Sequence, residues 1–225
     1  MSPRLLSREC TSVGGLASES DAEAELPEDT EHESPGYYQK YFVELHKVGH
    51  GSFGGVFVVR HVVEGNTLGL FAVKKIPVGS GDTYLGVAIN EVRLLEELHK
   101  HPNVIEYKHS WIEYSKVADF GPKVRCLFVL MEYATEGSLE GYLEEHGRSI
   151  SDAAVWFFFL NALNGLHHLH AKHILHRDIK PDNLLLTRDE KDKPPRILLS
   201  DFGTAAVFDD LNPSSDGRTG GTGSC

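Results

Sequence analysis

Cysteine is scarce. Cys10, Cys126 and Cys225 are the only three in 225 residues, and they are too scattered for a disulfide framework or a metal-ligand spacing. A reducing compartment is therefore expected, cytoplasmic without excluding the nucleus. Long apolar runs are missing too: the longest, 153–160, falls far short of a bilayer span, so no membrane segment is expected. Arg4 and Leu5-Leu6 lie near the start, but no apolar signal core follows them. No basic cluster stands out, which speaks against a nucleic-acid surface. Lys and Arg number 22 against 33 Asp and Glu, a net charge of -11. Residues 1–37 hold nine of the acids and two Arg, a net of -7, which leaves -4 for the remaining 188 residues. The acidity belongs to one end and says little about what the rest of the chain recognises.

That acidic end is rich in Ser, Glu, Asp and Ala and poor in aromatics. It cannot bury enough apolar area to offset its ordering entropy, so residues 1–37 are expected to be a disordered tail. Ser18, Ser20, Thr30 and Ser34 lie beside acids, which leaves a regulatory tail as the alternative to a simple solvated one. Order is expected from Tyr37-Tyr38 onward. Residues 42–47 read as a strand, and Val48-Gly49-His50-Gly51-Ser52-Phe53-Gly54-Gly55-Val56 follows. The glycine spacing alone is a weak signal. A dinucleotide site would require a helix after Gly54 and an acid about 20 residues on. Instead 56–60 is β-branched and aromatic and reads as a second strand. After a turn at Glu64-Gly65-Asn66, residues 68–76 form a third strand, in which alternation puts Ala72 and Lys74 on one face.

Leu85, Ile89, Val92, Leu95 and Leu98 recur at helical spacing and predict a helix over 83–100, ended by His101-Pro102-Asn103. Strands are expected over 104–112 and 126–133, with a loop over 115–123 between them. A short helix is expected to start at Gly137-Ser138-Leu139. Ser151 reads as the N-cap of a long helix ending near Ala171. Trp156, Phe157, Phe158, Phe159 and Leu160 make its first half apolar all round, the pattern of a buried helix. His167, His168, His170, His173 and His176 follow, without a cysteine or acid at ligand spacing, so packing and hydrogen bonding outweigh a zinc site. Residues 184–186 and 197–199 are short strands around a turn over 188–195.

The densest chemistry lies in His176-Arg177-Asp178-Ile179-Lys180-Pro181-Asp182-Asn183 and Asp201-Phe202-Gly203. Two acids and an amide on loops at the ends of short strands suit a metal-bound phosphate held over a hydroxyl. Asp178 can accept a hydroxyl proton and Lys180 can neutralise a phosphoryl oxygen. Asn183 and Asp201 offer hard oxygens to Mg²⁺.

This pair of motifs, with the glycine turn and Phe71-Ala72-Val73-Lys74-Lys75-Ile76 upstream, resembles the eukaryotic protein kinases, and Lys180 resembles the Ser/Thr version of the loop. The resemblance implies an α+β fold: an N-lobe over 38–131, an antiparallel sheet plus one helix; a hinge at 132–136; and part of a helical C-lobe over 137–225. It implies ATP and Mg²⁺ as cofactors and a protein substrate with a Ser or Thr acceptor. Asp178 and Lys180 become the catalytic pair, and Asn183 and Asp201 the metal ligands. The glycine flap from Val48 to Val56 closes over phosphates; the extra Gly55 departs from the family spacing and is expected to loosen it. Lys74 binds phosphates and pairs with Glu91, which fits better than Glu96 or Glu97. Ala72 and Val56 flank adenine, Met131 guards the back of its pocket, Glu132 and Ala134 supply hinge contacts, and Leu185 closes it from below. Residues 204–225 resemble an activation segment, with Ser214, Ser215 and Thr219 as candidate phosphosites for Arg177 to grip and Thr222 or Ser224 as candidates to touch the catalytic loop.

Within the family, Tyr107-Lys108-His109-Ser110-Trp111, Phe120-Gly121-Pro122 and Met131-Glu132-Tyr133-Ala134 are most similar to the fungal Iks group, with the eIF2α-kinase-like and Wee-like groups as alternatives. The resemblance stops at Cys225, before the family's Ala-Pro-Glu motif and the helices after it. A fragment or truncated product is therefore expected, weak or inactive alone, with the Trp156 helix uncovered. The alternative function is a non-catalytic nucleotide-binding or interaction module.

Overall fold

Alternation of β-branched and aromatic residues with polar ones dictates a sheet with two different faces. In the computed structural model of the protein, the described residues are 36–51, 54–79, 82–98, 100–116, 122–188 and 194–208. The tail, Ser52, Phe53, most of the 115–123 loop, the middle of the 188–195 turn and the candidate phosphosites lie outside them.

Strands β1 (Phe42–Gly51), β2 (Gly54–Val63), β3 (Asn66–Pro77), β4 (Tyr107–Ser115) and β5 (Val124–Glu132) form one antiparallel sheet in the order β1-β2-β3-β5-β4. Ala72 lies opposite Met131, and Lys74 opposite both Val56 and Val129. The outer face buries Tyr38, Phe42, Val59, Val73, Cys126, Phe128 and Leu130. The inner face packs Ile76, Leu127 and Val129 against α2 (Asp82–Glu97) through Ala88, Val92, Leu95 and the following Leu98. That core continues without a break through Val104 and Ile105 to the helical part. There α3 (Leu139–His146), α4 (Asp152–Ala171) and the two-stranded pairs β6 (Ile174–Leu175) with β9 (Ala206–Val207) and β7 (Leu184–Thr187) with β8 (Arg196–Leu199) assemble. No helix of the described residues is long and apolar enough to cross a membrane.

The helix caps agree with the side chains that signal them: Ser138 Oγ accepts from Gly141 N at 3.2 Å and Ser151 Oγ from Ala154 N at 3.2 Å. Other boundaries moved for tertiary reasons. A short α1 (Tyr37–Tyr41) precedes the sheet where only the onset of order was expected. The Glu113 carboxylate holds it by accepting from Tyr38 N at 3.0 Å, and the Tyr38 hydroxyl donates to Glu44 at 2.9 Å. Helix α2 stops at Glu97 instead of residue 100, and His168 Nε2 donates to the Leu98 carbonyl at 2.7 Å just beyond its end. The strand expected from 104 begins at Tyr107, because Ile105 N bonds Leu199 O at 2.9 Å and Glu106 N bonds the Glu132 carboxylate at 2.8 Å. Helix α4 buries one stripe, Phe158, Gly165 and Leu169, rather than its whole circumference. Trp156, Phe159 and Leu160 are 62%, 51% and 58% exposed, since they project away from the stripe that meets β8.

Asn103 ties the two halves together. Its Nδ2 donates to Asn161 Oδ1 at 2.7 Å and to Ile197 O at 2.9 Å, its Oδ1 accepts from Asn164 Nδ2 at 2.8 Å, and its carbonyl accepts from Leu199 N at 3.0 Å. This close approach needs Gly165, where a Cβ would lie 2.7 Å from Asn103 O and 2.8 Å from Leu199 Cδ1. Gly165→Ala is therefore expected to destabilise the protein by about 1–2 kcal/mol, an overpacking cost reduced by alanine's better helix propensity. Urea denaturation checks this; an unchanged or raised midpoint would contradict the packing.

Candidate active site

A cleft of about 610 Å³ opens between the sheet and the helical part. Volumes of this order suit a small-molecule ligand. Val48, Gly49, Val56 and Ala72 line it from the sheet, Met131, Glu132, Tyr133 and Ala134 along the chain leaving β5, and Leu185 from β7. Lys74, Glu91, Lys180, Asn183 and Asp201 line it with charge and amide.

Alternation on β3 points Lys74 inward, and the helical period of α2 brings Glu91 to meet it. Lys74 Nζ lies 2.7 Å from Glu91 Oε1 and 2.9 Å from Asp201 Oδ1. Lys74 and Glu91 are 3% and 4% exposed. Burial opposes the lysine charge, but the two carboxylates more than offset it, and the Lys74 pKa stands above the ordinary lysine value. Burial pushes the Glu91 carboxyl up, with Lys74 opposing. Glu91 Oε2 is the one buried side-chain polar atom without a hydrogen-bond partner among the described residues.

Asp178 sits on the loop after β6. Lys180 Nζ donates to its Oδ2 at 2.8 Å, and Asn183 Nδ2 donates to the same oxygen and to the Asp178 carbonyl, both at 2.9 Å. Lys180 first, then Asn183, hold the Asp178 carboxyl below the usual aspartate range, so it is ionised at neutral pH. Asn183 thereby spends its nitrogen on Asp178 and keeps its oxygen as the acceptor it offers. His176 is buried and Nε2 donates to Ser200 O at 2.9 Å. Burial lowers its pKa, so the ring is neutral and acts as a strut. Arg177 and Asp201 both adopt left-handed backbone conformations, φ 66° and 59°, which side chains with a Cβ rarely hold unless neighbours impose them.

Several expected residues stand apart from the cleft. Gly51, Gly54 and Gly55 do not line it. They continue the β1–β2 ladder, Gly51 opposite Gly54 and His50 opposite Gly55, so the extra glycine is paired rather than loosening the turn. Gly54 is required by packing, since a Cβ there would lie 1.9 Å from Lys75 O. Ser52, Phe53 and the His50 side chain lie outside the described residues. Asp178 meets the cleft only through Lys180 and Asn183. Glu132 donates its N–H to Glu106 O at 2.9 Å and accepts from Glu106 N through its carboxylate. Its N–H is therefore committed to Glu106, while the residue itself lines the cleft. Arg177 directs Nε to Thr204 O at 2.9 Å.

The cleft also contains residues that were not expected to line it: Leu95, Ile105 and Phe202 on its apolar wall, and Ser138, Asp182 and Ser200 at its polar side. Leu95 stands one helical turn after Glu91, a spacing that marks the shared face. Ile105 carries no such signal, because the sheet bond that places it comes from Leu199.

Residues 42–219 match the protein kinase domain family. The chain is 44% identical over 199 residues to the probable serine/threonine-protein kinase iksA of Dictyostelium discoideum, covering 84% of this chain and 20% of that protein. It is 34% identical over 189 residues to the interferon-induced, double-stranded RNA-activated protein kinase of Rattus norvegicus, 78% of this chain and 34% of that protein. To the serine/threonine-protein kinase TAO3 of Homo sapiens it is 33% identical over 176 residues, 77% of this chain and 17% of that protein. The chain thus spans about a third or less of the length of these curated relatives. Since the family match runs from β1 through the cleft and beyond β9, the chain belongs to the protein kinase domain family.

Proposed function

We propose that this protein transfers the γ-phosphate of ATP to serine or threonine hydroxyls of protein substrates. One observation carries the reading: the buried Lys74 and Glu91 are assembled with Asp201 as an ion triad beside the Asp178–Lys180–Asn183 cluster. Lys180 and the relatives' names support the Ser/Thr class. The scattered cysteines, with Cys126 free and buried, are in keeping with action in a reducing, cytoplasmic compartment.

The residues fit a magnesium nucleotide. The Asp201 carboxylate and the Asn183 amide are the hard oxygen donors such an ion takes, and both line the same cleft as the apolar Val56, Ala72, Met131 and Leu185. ATP with Mg²⁺ supplies the transferable phosphoryl group and part of the charge neutralisation that transfer requires. Lys74, fixed in direction by Glu91, contributes a positive charge for the phosphates. Asp201 and Asn183 would hold the metal. Asp178, ionised and held by Asn183, orients the acceptor hydroxyl and takes its proton, and Lys180 beside it steadies the charge on the group in transit. Positioning and preorganised charge provide most of the rate under this reading.

Titrating a fluorescent ATP analogue tests the nucleotide half. Lys74→Met is expected to weaken binding clearly, and equal affinity in both proteins would remove Lys74 from the site. Phosphotransfer to a generic protein substrate tests the other half. Asp178→Asn is expected to slow it by about 10²–10⁴-fold, roughly 3–5 kcal/mol of barrier, while ATP affinity stays near wild type. Equal transfer by the two proteins would remove Asp178 from that role.

A further inference from the structure

Strand β9 returns along β6 and pairs with it, Ile174 opposite Val207 and Leu175 opposite Ala206, with Phe208 N donating to His173 O at 2.8 Å. The next residue in register with His176 is Ala205. Its N–H is already spent on Phe202 O at 3.0 Å, closing the 3-10 turn Phe202–Thr204. The backbone ladder therefore runs out one residue short of Arg177-Asp178. A side chain takes over there: Thr204 Oγ1 donates to the His176 carbonyl at 3.1 Å. In return the Thr204 carbonyl accepts from Arg177 Nε at 2.9 Å. Each bond joins the side chain of one segment to the backbone of the other. A third tie, His176 Nε2 to Ser200 O, lies on the opposite side of Asp201.

We propose that Thr204 is a positioning residue: its hydroxyl, standing in for the missing ladder donor on the His176 carbonyl, registers the loop that carries Asp178 against the loop that carries Asp201. This rests on the phosphotransfer reading and extends it to a residue outside the cleft. The physical need is specific. Arg177 and Asp201 both hold left-handed backbone conformations, and such conformations persist only where surrounding bonds over-determine them. Without the hydroxyl, the carbonyl of a residue that is 2% exposed loses its donor, and the segment between His176 and Asp178 loses its tie to the turn after Asp201. The cost falls on the relative placement of the two acids, which no contact to the nucleotide would restore.

Thr204→Val removes the donor and keeps the shape, and Thr204→Ser keeps the donor. Hydrogen exchange on the full chain, followed by mass spectrometry, reads the tie directly. The peptide covering residues 173–180 is expected to exchange about fivefold faster in Thr204→Val, the worth of one ordinary hydrogen bond, and at the wild-type rate in Thr204→Ser. Fluorescent ATP affinity is expected to stay within about twofold in both, since Lys74 is untouched, whereas kcat for phosphotransfer falls about tenfold in the valine variant alone. Thr204→Ala serves in the same way should the valine variant fail to fold. Wild-type exchange in the valine variant, or equally fast exchange in the serine one, would overturn the assignment. Exchange reads the tie whether or not phosphate moves, so failure of ATP binding by the wild-type chain would instead count against the phosphotransfer reading.

Discussion

A single lysine charge taken out of water organises the cleft. Lys74 is held between Glu91 and Asp201, which are 17 and 127 residues away in the chain. Leaving a buried charge without its partner costs about 3–5 kcal/mol, so the pairing is a demand on the surrounding structure as much as a contribution to it. Strand β3 has to present Lys74 inward, α2 has to lie flat enough on the sheet for Glu91 to reach, and the chain after β8 has to turn through a left-handed residue at Asp201. When any of the three moves, the lysine loses a carboxylate. The unpartnered Glu91 oxygen marks where this arrangement is least satisfied.

The sheet and the helical part can meet that demand only if they are held in one register. The continuous core from Ile76 through Val104 and Ile105 to Leu199 supplies the adhesion, but apolar packing is not directional. Direction comes from polar bonds buried in it. Asn103 uses both ends of its amide and its own carbonyl on Asn161, Asn164, Ile197 and Leu199, and Gly165 lets the backbone come close enough. Around the site the same division holds. Phe202 packs against the His176 ring while the hydrogen bonds from His176 and Thr204 set the angle between the loops.

Much of this was legible along the chain, because the signals were local. β-Branched alternation, the hydroxyl cap at Ser151, and the motifs His176–Asn183 and Asp201–Gly203 each involve residues within a few positions of one another. Glu91 could be picked over Glu96 and Glu97 because it lies beside the apolar stripe of α2 and matches the helix glutamate that the family resemblance implies. The misreadings share the opposite character. The end of α2 depends on His168, the start of β4 on Leu199 and Glu132, and α1 on Glu113, 75 residues from the Tyr38 amide it accepts from. The all-apolar start of α4 was read as a helix built for burial but left uncovered here, and Trp156, Phe159 and Leu160 are indeed exposed.

The amino-acid sequence by itself determined which chemistry is present and the order of the elements that carry it. Period, capping and charge type are properties of adjacent residues and survive in the unfolded chain. Tertiary structure alone decided how those groups are spent. It committed the Glu132 N–H to Glu106, made Gly54 a packing residue against Lys75, and gave the His176 carbonyl to a threonine hydroxyl where the ladder ran out of backbone donors. The reason is that a hydrogen bond or a close approach is a property of two positions. The second is chosen by how the strands and helices pack, not by anything near the first.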